Sequence, residues 1–176
     1  MLVLLAALVA LSRLGFADWE HREADIMGTR ITVELFHADP LIAAQAIEAV
    51  MQEMHRIDAT MSPYLESSEL ARINRGAHRH AVKVSAELFA LIDRSIGFSE
   101  LTQGAFDITF ASVGFLYDYR HRKRPDQAQL QAAAGLVNYQ NLVMDAVAHT
   151  IGFTRPGVRV DLGGIAKGYA VDRGIG

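Results

Sequence analysis

The sequence predicts an α+β domain with antiparallel strands and two long helices. Two observations predict this class. The predicted elements run in the order strand, helix, loop, helix and then several short strands, which is not the regular strand–helix alternation of a doubly wound sheet. Apolar residues make up 51% of the 176 residues and charged residues 21%, so the chain can bury a core and general disorder is excluded.

The first element that the residue pattern predicts is a strand over residues 30–36, where apolar and polar side chains alternate. Asp39 and Pro40 then provide an N-cap and a proline at the first helical position. Apolar residues follow at three- and four-residue spacing over residues 42–57. This spacing predicts an amphipathic helix of about 18 residues, whose methionines belong to the core.

The middle of the chain predicts two more helices. A loop over residues 59–69 leads into a short helix capped by Ser68, and a short strand follows over residues 82–84. A second long helix then begins after Ser85 and ends near Thr102.

Short elements complete the predicted fold. A basic run over residues 119–124 is typical of a solvated loop, although it can also contact an anionic ligand. A short helix is predicted over residues 127–134. Three strands are predicted after it, over residues 142–144, 149–153 and 158–162.

The composition excludes several functional classes. The 17 Lys and Arg residues and the 20 Asp and Glu residues give a formal net charge of −3, whereas a general nucleic-acid-binding protein usually has a basic excess. We therefore expect no nucleic-acid partner. The chain contains no cysteine, which excludes a disulfide scaffold, a cysteine-ligated metal centre, a thiol nucleophile and a lipid anchor on an N-terminal cysteine.

The chain begins with an apolar run over residues 2–11. As a helix this run would span about 15 Å, roughly half of a bilayer core, and the small residues Gly15 and Ala17 suit a signal peptidase. We therefore predict a signal peptide over residues 1–17 and a periplasmic protein, either soluble or associated with the inner membrane. Because no Lys or Arg precedes the apolar run, a buried first helix and a misassigned start codon are alternatives.

One segment, residues 158–172, has the residue types that bind an anion. A predicted strand ends at Asp161, Gly163 and Gly164 form a turn, and a helix with Lys167 in its first turns follows. Glycine lets backbone N–H groups approach a ligand, and a helix N-terminus carries partial positive charge, so the segment suits a phosphate. An ordinary glycine turn with a surface lysine is the alternative.

Three earlier segments offer groups for a planar ligand, each with a structural alternative. Residues 104–109 (GAFDIT) contain Phe106 beside Asp107, which can also be a buried ring beside a capping carboxylate. Tyr64 follows a proline in a loop, where its ring is well placed for a planar ligand, although the same loop can simply lead into a helix cap. The backbone at Met27 can face a ligand or form a strand-entry turn.

Taken together and in this order, these segments resemble the ApbE family of flavin transferases. The matching sequences are IMGT at 26–29, MSPYLESSEL at 61–70 with Asn74, GAFDIT at 104–109 and VDLGGIAKGYAVD at 160–172. The resemblance covers residues 19–176 and matches only the first half of a family member. We therefore expect a truncated chain in which residues 18–176 form the N-terminal part of an ApbE-like, T-fold-like domain.

The resemblance implies an FAD:protein FMN transferase. Such an enzyme uses FAD and Mg²⁺, attaches FMN to a Thr or Ser hydroxyl of a redox protein and releases AMP. The implied acceptors are subunits of sodium-pumping quinone reductase or Rnf-type complexes. The resemblance also implies a metal ligand at the backbone carbonyl of Gly164 and FAD contacts at seven residues. These are Met27, Tyr64, Ala105, Phe106, Asp107, Asp161 and Lys167.

The resemblance places the family's remaining metal ligands and its catalytic residues in the C-terminal half, outside this chain. We therefore expect little or no transferase activity from the 176 residues alone. Two alternatives stay open. One is a Mg²⁺-dependent FAD pyrophosphatase, which releases FMN and AMP without an acceptor. The other is a non-catalytic flavin-binding protein.

Overall fold

The computed structural model describes residues 18–118 and 121–176. The predicted signal peptide therefore lies outside the described residues. Among the described residues, no helix is both long enough and apolar enough to cross a membrane. The chain divides into two compact units. The first contains the residues up to His55 together with Val171–Gly176, and the second contains Arg56–Ala170.

The first unit contains a β-hairpin formed by β1 (Asp18–Ile26) and β2 (Thr29–His37). The strands pair antiparallel, with Ile26 opposite Thr29, and Met27 and Gly28 form the connecting turn with φ of 55° and 69°. Positive φ at both central residues is what a tight hairpin turn requires. The strand predicted at 30–36 is thus confirmed as part of β2, whereas β1 is a strand that the sequence pattern does not predict.

Helix α1 (Pro40–Met61) confirms the first predicted long helix and is longer than expected, at 22 residues. The carboxylate of Asp39 accepts a hydrogen bond from the amide of Leu41 at 2.9 Å, as an N-cap does. Met51 and Met54 are each only 4% exposed, which confirms that they belong to the core and not to the surface.

The second unit contains the remaining helices. The predicted caps are present, since Ser68 Oγ accepts from the amide of Ala71 at 2.9 Å and Ser85 Oγ accepts from the amide of Leu88 at 3.2 Å. The helices are α2 (Glu69–Gly76), α3 (Ala86–Leu101), α4 (Ala111–Gly114), α5 (Gln127–Ala134) and α6 (Ala166–Ile175), the last of which continues into the first unit. Short 3₁₀ turns lie at Ile108–Phe110 and Tyr139–Asn141.

A three-stranded antiparallel sheet lies in the same unit. Its strands are β3 (Val82–Lys83), β4 (Leu142–Asp145) and β5 (Thr150–Phe153), in the order β3-β5-β4. Strand β5 is central, with Val82 and Met144 both opposite Ile151, which is fully buried. Helices and antiparallel sheets in these proportions confirm the α+β class.

The prediction of a strand at residues 158–162 is wrong, because the structure has no strand there. The side chains of this segment alternate as expected, with Val158 and Val160 buried and Arg159 exposed, but the described residues include no strand that pairs with it. The side chain of Asn74 takes the place of a neighbouring strand. Its Oδ1 accepts from the amide of Val160 at 2.8 Å, and its Nδ2 donates to the carbonyl of Val160 at 2.9 Å.

Candidate functional site

The glycine turn between Asp161 and α6 is the centre of the candidate site. Asp161 Oδ1 accepts from the amide of Gly163 at 2.6 Å, and Lys167 Nζ donates to the carbonyl of Gly163 at 3.0 Å. The turn therefore has a carboxylate on one side and an ammonium group on the other. It leads directly into the N-terminus of α6, where the helix dipole adds partial positive charge.

The close surroundings of the turn explain why it consists of glycines. A Cβ atom at Gly163 would lie 2.9 Å from Asp161 Oδ1, and one at Gly164 would lie 3.2 Å from Cε2 of Phe106. The first contact would force the Asp161 carboxylate to shift, and the second would leave a side chain at Gly164 little room beside the ring. The turn therefore presents backbone, and the ring of Phe106 packs against it.

Phe106 reaches the turn because the chain reverses at the end of α3. Gly104 has a φ of 85°, and its amide donates to the carbonyl of Ser99 at 2.8 Å. The half-buried Phe106 ring then meets Phe98 edge-on, with centroids 6.2 Å apart. The structure thus brings together two of the segments that the sequence singles out, GAFDIT and the glycine turn.

The Asp107 carboxylate has structural partners. Its Oδ1 accepts from the amide and the hydroxyl of Thr109 at 2.8 and 2.6 Å, and its Oδ2 accepts from the amide of Tyr139 at 2.8 Å. The capping role considered for this residue is therefore present. Contacts of FAD with Asp107 and with the exposed Ala105 stay predictions.

Tyr64 belongs to an aromatic group that the sequence analysis finds only in part. Tyr64 is 77% exposed, and its ring centroid lies 5.8 Å from that of Phe115. The guanidinium of Arg159 lies 5.0 Å from the Phe115 centroid, a cation–π distance. The signal for Arg159 is its position two residues before Asp161 in an alternating segment, which places both side chains on the same side.

A surface pocket lies beside Phe115 and Arg159. It has a volume of about 450 Å³ and is lined mostly by apolar side chains, among them Phe115, Leu116 and Leu136, with Arg159 as a cationic member. The second unit thus brings together the rings of Tyr64 and Phe115, the guanidinium of Arg159 and a pocket. This combination suits a planar ligand with an anionic part.

Met27 belongs to the first unit. It is a half-buried residue in the hairpin turn of the first unit, whereas the other predicted FAD contacts and Gly164 belong to the second unit. Its contact with FAD stays a prediction.

The described residues do not form a complete metal site. They contain no group of three or more His, Asp or Glu side chains that could hold a cation. Gly164 is exposed and can offer only a backbone carbonyl. A magnesium ion, which prefers six oxygen ligands, would need donors beyond those that the described residues provide.

The fold and the glycine turn define a class of α+β protein in which a glycine turn with a nearby carboxylate and ammonium group leads into a helix N-terminus. Comparison with known proteins narrows this class. A sequence model described as the ApbE family matches residues 27–176. The chain therefore belongs to the ApbE family.

Individual relatives agree with this assignment. An FAD:protein FMN transferase from Klebsiella pneumoniae is 30% identical over 152 residues, which cover 85% of this chain and 47% of the relative. A protein of the same name from Haemophilus influenzae is 31% identical over 136 residues, which cover 73% of this chain and 38% of the relative. The chain thus spans about half the length, or less, of these curated relatives.

Solved structures share the fold. The ApbE protein from Thermotoga maritima matches with a TM-score of 0.81 and 30% identity, over 89% of this chain and 51% of that protein. The flavin transferase ApbE from Vibrio cholerae matches with a TM-score of 0.78 and 25% identity, over 91% of this chain and 53% of that protein.

Proposed function

We propose that this chain provides the FAD-binding part of an FAD:protein FMN transferase. The observation that carries the proposal is the glycine turn, where Asp161, Lys167 and the ring of Phe106 surround exposed backbone at the start of α6. The name of the curated relatives supports the same activity.

The chemistry of FAD matches these groups. Its pyrophosphate is a dianion, which the ammonium of Lys167 and the N-terminus of α6 stabilise, and the glycines let backbone N–H groups approach it. Its two planar ring systems suit the exposed ring of Tyr64 and the ring of Phe106, which contribute stacking as well as buried area.

The proposed reaction is a displacement at phosphorus. A Thr or Ser hydroxyl of the acceptor attacks the FMN-side phosphorus and forms a phosphoester. The bond from this phosphorus to the bridging oxygen breaks, and AMP leaves with the electron pair. The hydroxyl proton passes to a base, which we assign to no described residue. The ammonium of Lys167 and the N-terminus of α6 stabilise the phosphoryl oxygens during the step.

The metal and the partners form part of the proposal. We assign Mg²⁺ as the metal and give the exposed carbonyl of Gly164 as one ligand, with further ligands from outside the described residues. The proposed acceptors are redox subunits of sodium-pumping quinone reductase or Rnf-type complexes. A periplasmic location rests on the apolar run at residues 2–11, and N-terminal sequencing of the mature protein should then begin at Asp18.

Titration of the 176-residue chain with FAD tests the site. Lys167→Ala should weaken FAD binding about tenfold because it removes the positive charge that we assign to the pyrophosphate. Asp161→Ala should weaken it by a similar factor because it removes the carboxylate that holds the amide of Gly163 and thus the shape of the turn. The matched controls Asp93→Ala and Lys83→Ala make the same charge changes at exposed positions on α3 and β3, and they should leave the affinity unchanged. Unchanged affinity in both turn variants would show that the turn is not the FAD site.

A further inference from the structure

A polar cluster in the second unit joins three helices. We call it the Glu87 cluster (Arg56, Glu87 and Tyr169). Arg56 on α1 donates two hydrogen bonds to the Glu87 carboxylate, from Nη1 to Oε2 at 2.6 Å and from Nη2 to Oε1 at 2.7 Å. The hydroxyl of Tyr169 on α6 donates to Oε1 of the same carboxylate at 2.6 Å. One carboxylate on α3 therefore links α1 to α6.

The position of the Glu87 carboxylate is fixed by two hydrogen bonds from Arg56 and by its place in the first turn of α3. It lies in the first turn of α3, where the helix dipole favours negative charge. Its pairing with Arg56 is bidentate, the strongest geometry for an arginine and a carboxylate. The side chain of Glu87 is 24% exposed, so water competes less than at an open surface. The Tyr169 hydroxyl thus binds an acceptor whose position is fixed.

Helix α6 needs such an anchor because the residues that it buries next to Tyr169 have small side chains. Within the second unit the helix buries Ala166 and Ala170. Methyl groups allow close approach to the core but define the rotation of a helix poorly. Tyr169 lies on the same face, three residues after Ala166. Its hydrogen bond to Glu87 therefore helps to set the rotation of α6 near the glycine turn, and Arg173 near the other end of the helix donates to Glu53 at 3.3 Å.

The rotation of α6 affects the glycine turn because backbone hydrogen bonds join the turn to the first residues of the helix. The amides of Ile165 and Ala166 donate to the carbonyl of Leu162 at 2.9 and 2.7 Å. Lys167 lies two residues before Tyr169, on the exposed side of the helix, and folds back onto the turn. A change in helix rotation would move the ammonium group and the turn amides together.

We propose that the Glu87 cluster positions the glycine turn for FAD, with Tyr169 as the positioning residue and Glu87 as its anchor. The inference rests on the proposed function. The cluster acts through α6 by holding Lys167 and the turn amides in place before the pyrophosphate arrives, which lowers the ordering cost of binding. A purely structural cluster would raise the stability of the fold and leave both the turn and the FAD affinity of folded chains unchanged.

The test compares Tyr169→Phe with the wild-type 176-residue chain by amide hydrogen exchange and by FAD titration. Phenylalanine keeps the ring and removes only the hydroxyl. We expect the amides of Ile165 and Ala166 to exchange about tenfold faster and FAD to bind about tenfold more weakly, as the loss of one hydrogen bond to a carboxylate predicts. Exchange of Ile165 and Ala166 is compared with that of the Phe153 amide, which donates to the carbonyl of Ala77 at 2.8 Å in the sheet. An equal acceleration at all three amides would reflect lost global stability and would overturn the positioning role.

Matched variants control for the chemistry of the substitution. Tyr139→Phe removes a phenol hydroxyl outside the cluster, and Glu100→Gln neutralises an exposed carboxylate near the other end of α3. Both should leave turn exchange and FAD affinity unchanged. Glu87→Gln should reproduce part of the Tyr169→Phe effect, because its amide oxygen still accepts the hydroxyl. The variant that carries both Tyr169→Phe and Glu87→Gln should lose less FAD binding free energy than the sum of the losses in the two single variants.

The two readouts separate this inference from the proposed function. Unchanged exchange of Ile165 and Ala166 in Tyr169→Phe overturns the positioning role. Faster exchange with unchanged FAD affinity overturns it as well, because the turn then moves without effect on binding. If the wild-type chain binds no FAD, the proposed function fails, and the exchange rates still decide whether the cluster holds the turn.

Discussion

Single polar side chains hold the irregular backbone around the glycine turn. Asn74 pairs with both backbone groups of Val160, and Ser112 Oγ accepts from the amide of Arg159 at 3.0 Å. Asp107 does the same for the amide of Tyr139. Buried N–H and C=O groups need partners, and here side chains supply them where no strand does.

Replacement of Asn74 by Ala should therefore cost about 3 kcal/mol of unfolding free energy, because Val160 is fully buried and both of its backbone groups would lose their partners. Asn74→Asp should be similarly harmful, since a carboxylate cannot donate to the carbonyl of Val160. Denaturant unfolding measures the loss. Asn138→Ala at an exposed 3₁₀ cap is the control, with an expected cost of about 1 kcal/mol. Equal losses at the two positions would contradict this account.

Residue types and spacing predict part of the candidate site. Asp161 and Lys167 are predictable because an alternating segment, two glycines and a helix start place them on either side of a turn. The packing of Phe106 against Gly164 and of Tyr64 against Phe115 is not predictable in this way. It depends on contacts between segments far apart in the chain, about which local spacing carries no information.

Periodicity predicts the elements that bury one face. Helices α1 and α3 appear in the sequence as apolar stripes after capping residues, and β2 appears as an alternation. Strand β1 has no such signal because most of its side chains are exposed and polar, so only its pairing with β2 defines it. The segment at 158–162 shows the converse. The alternation of apolar and polar residues correctly predicts which side chains are buried. It does not predict that a side chain, and not a neighbouring strand, forms hydrogen bonds with the backbone.

The molecule as a whole spans about half the length of its curated relatives. The described residues include the groups that we propose for FAD but no cluster of three acidic or imidazole side chains that could hold a metal. The proposed binding of FAD and the proposed transfer of FMN can therefore be tested separately. The first can be tested on the 176 residues, and the second needs groups that the described part of the chain does not supply.

The 176-residue chain, incubated with FAD, Mg²⁺ and an acceptor peptide, should consequently give no flavinylated peptide above background, as mass spectrometry of the peptide will measure. The flavin transferase ApbE from Vibrio cholerae serves as the positive control in the same mixture. Flavinylated peptide from the short chain would contradict the prediction. Release of FMN and AMP irrespective of peptide would instead indicate an FAD pyrophosphatase, and retention of FAD without AMP a flavin-binding protein.

The pairing of Asn74 with Val160 has a consequence for how this region tolerates changes in length. Among the described residues no strand ladder fixes the register of the chain here. The contacts of Asn74 with Val160, of Ser112 with Arg159 and of the Ile108 carbonyl with the Asp161 amide do so, and a slip by one residue would turn Asp161 inward and expose its apolar neighbour. Insertions and deletions between β5 and Val160 must therefore be absorbed before position 158. The exposed bend at residues 154–157, which ends in Gly157 with a φ of 89°, is where such variation can be accommodated.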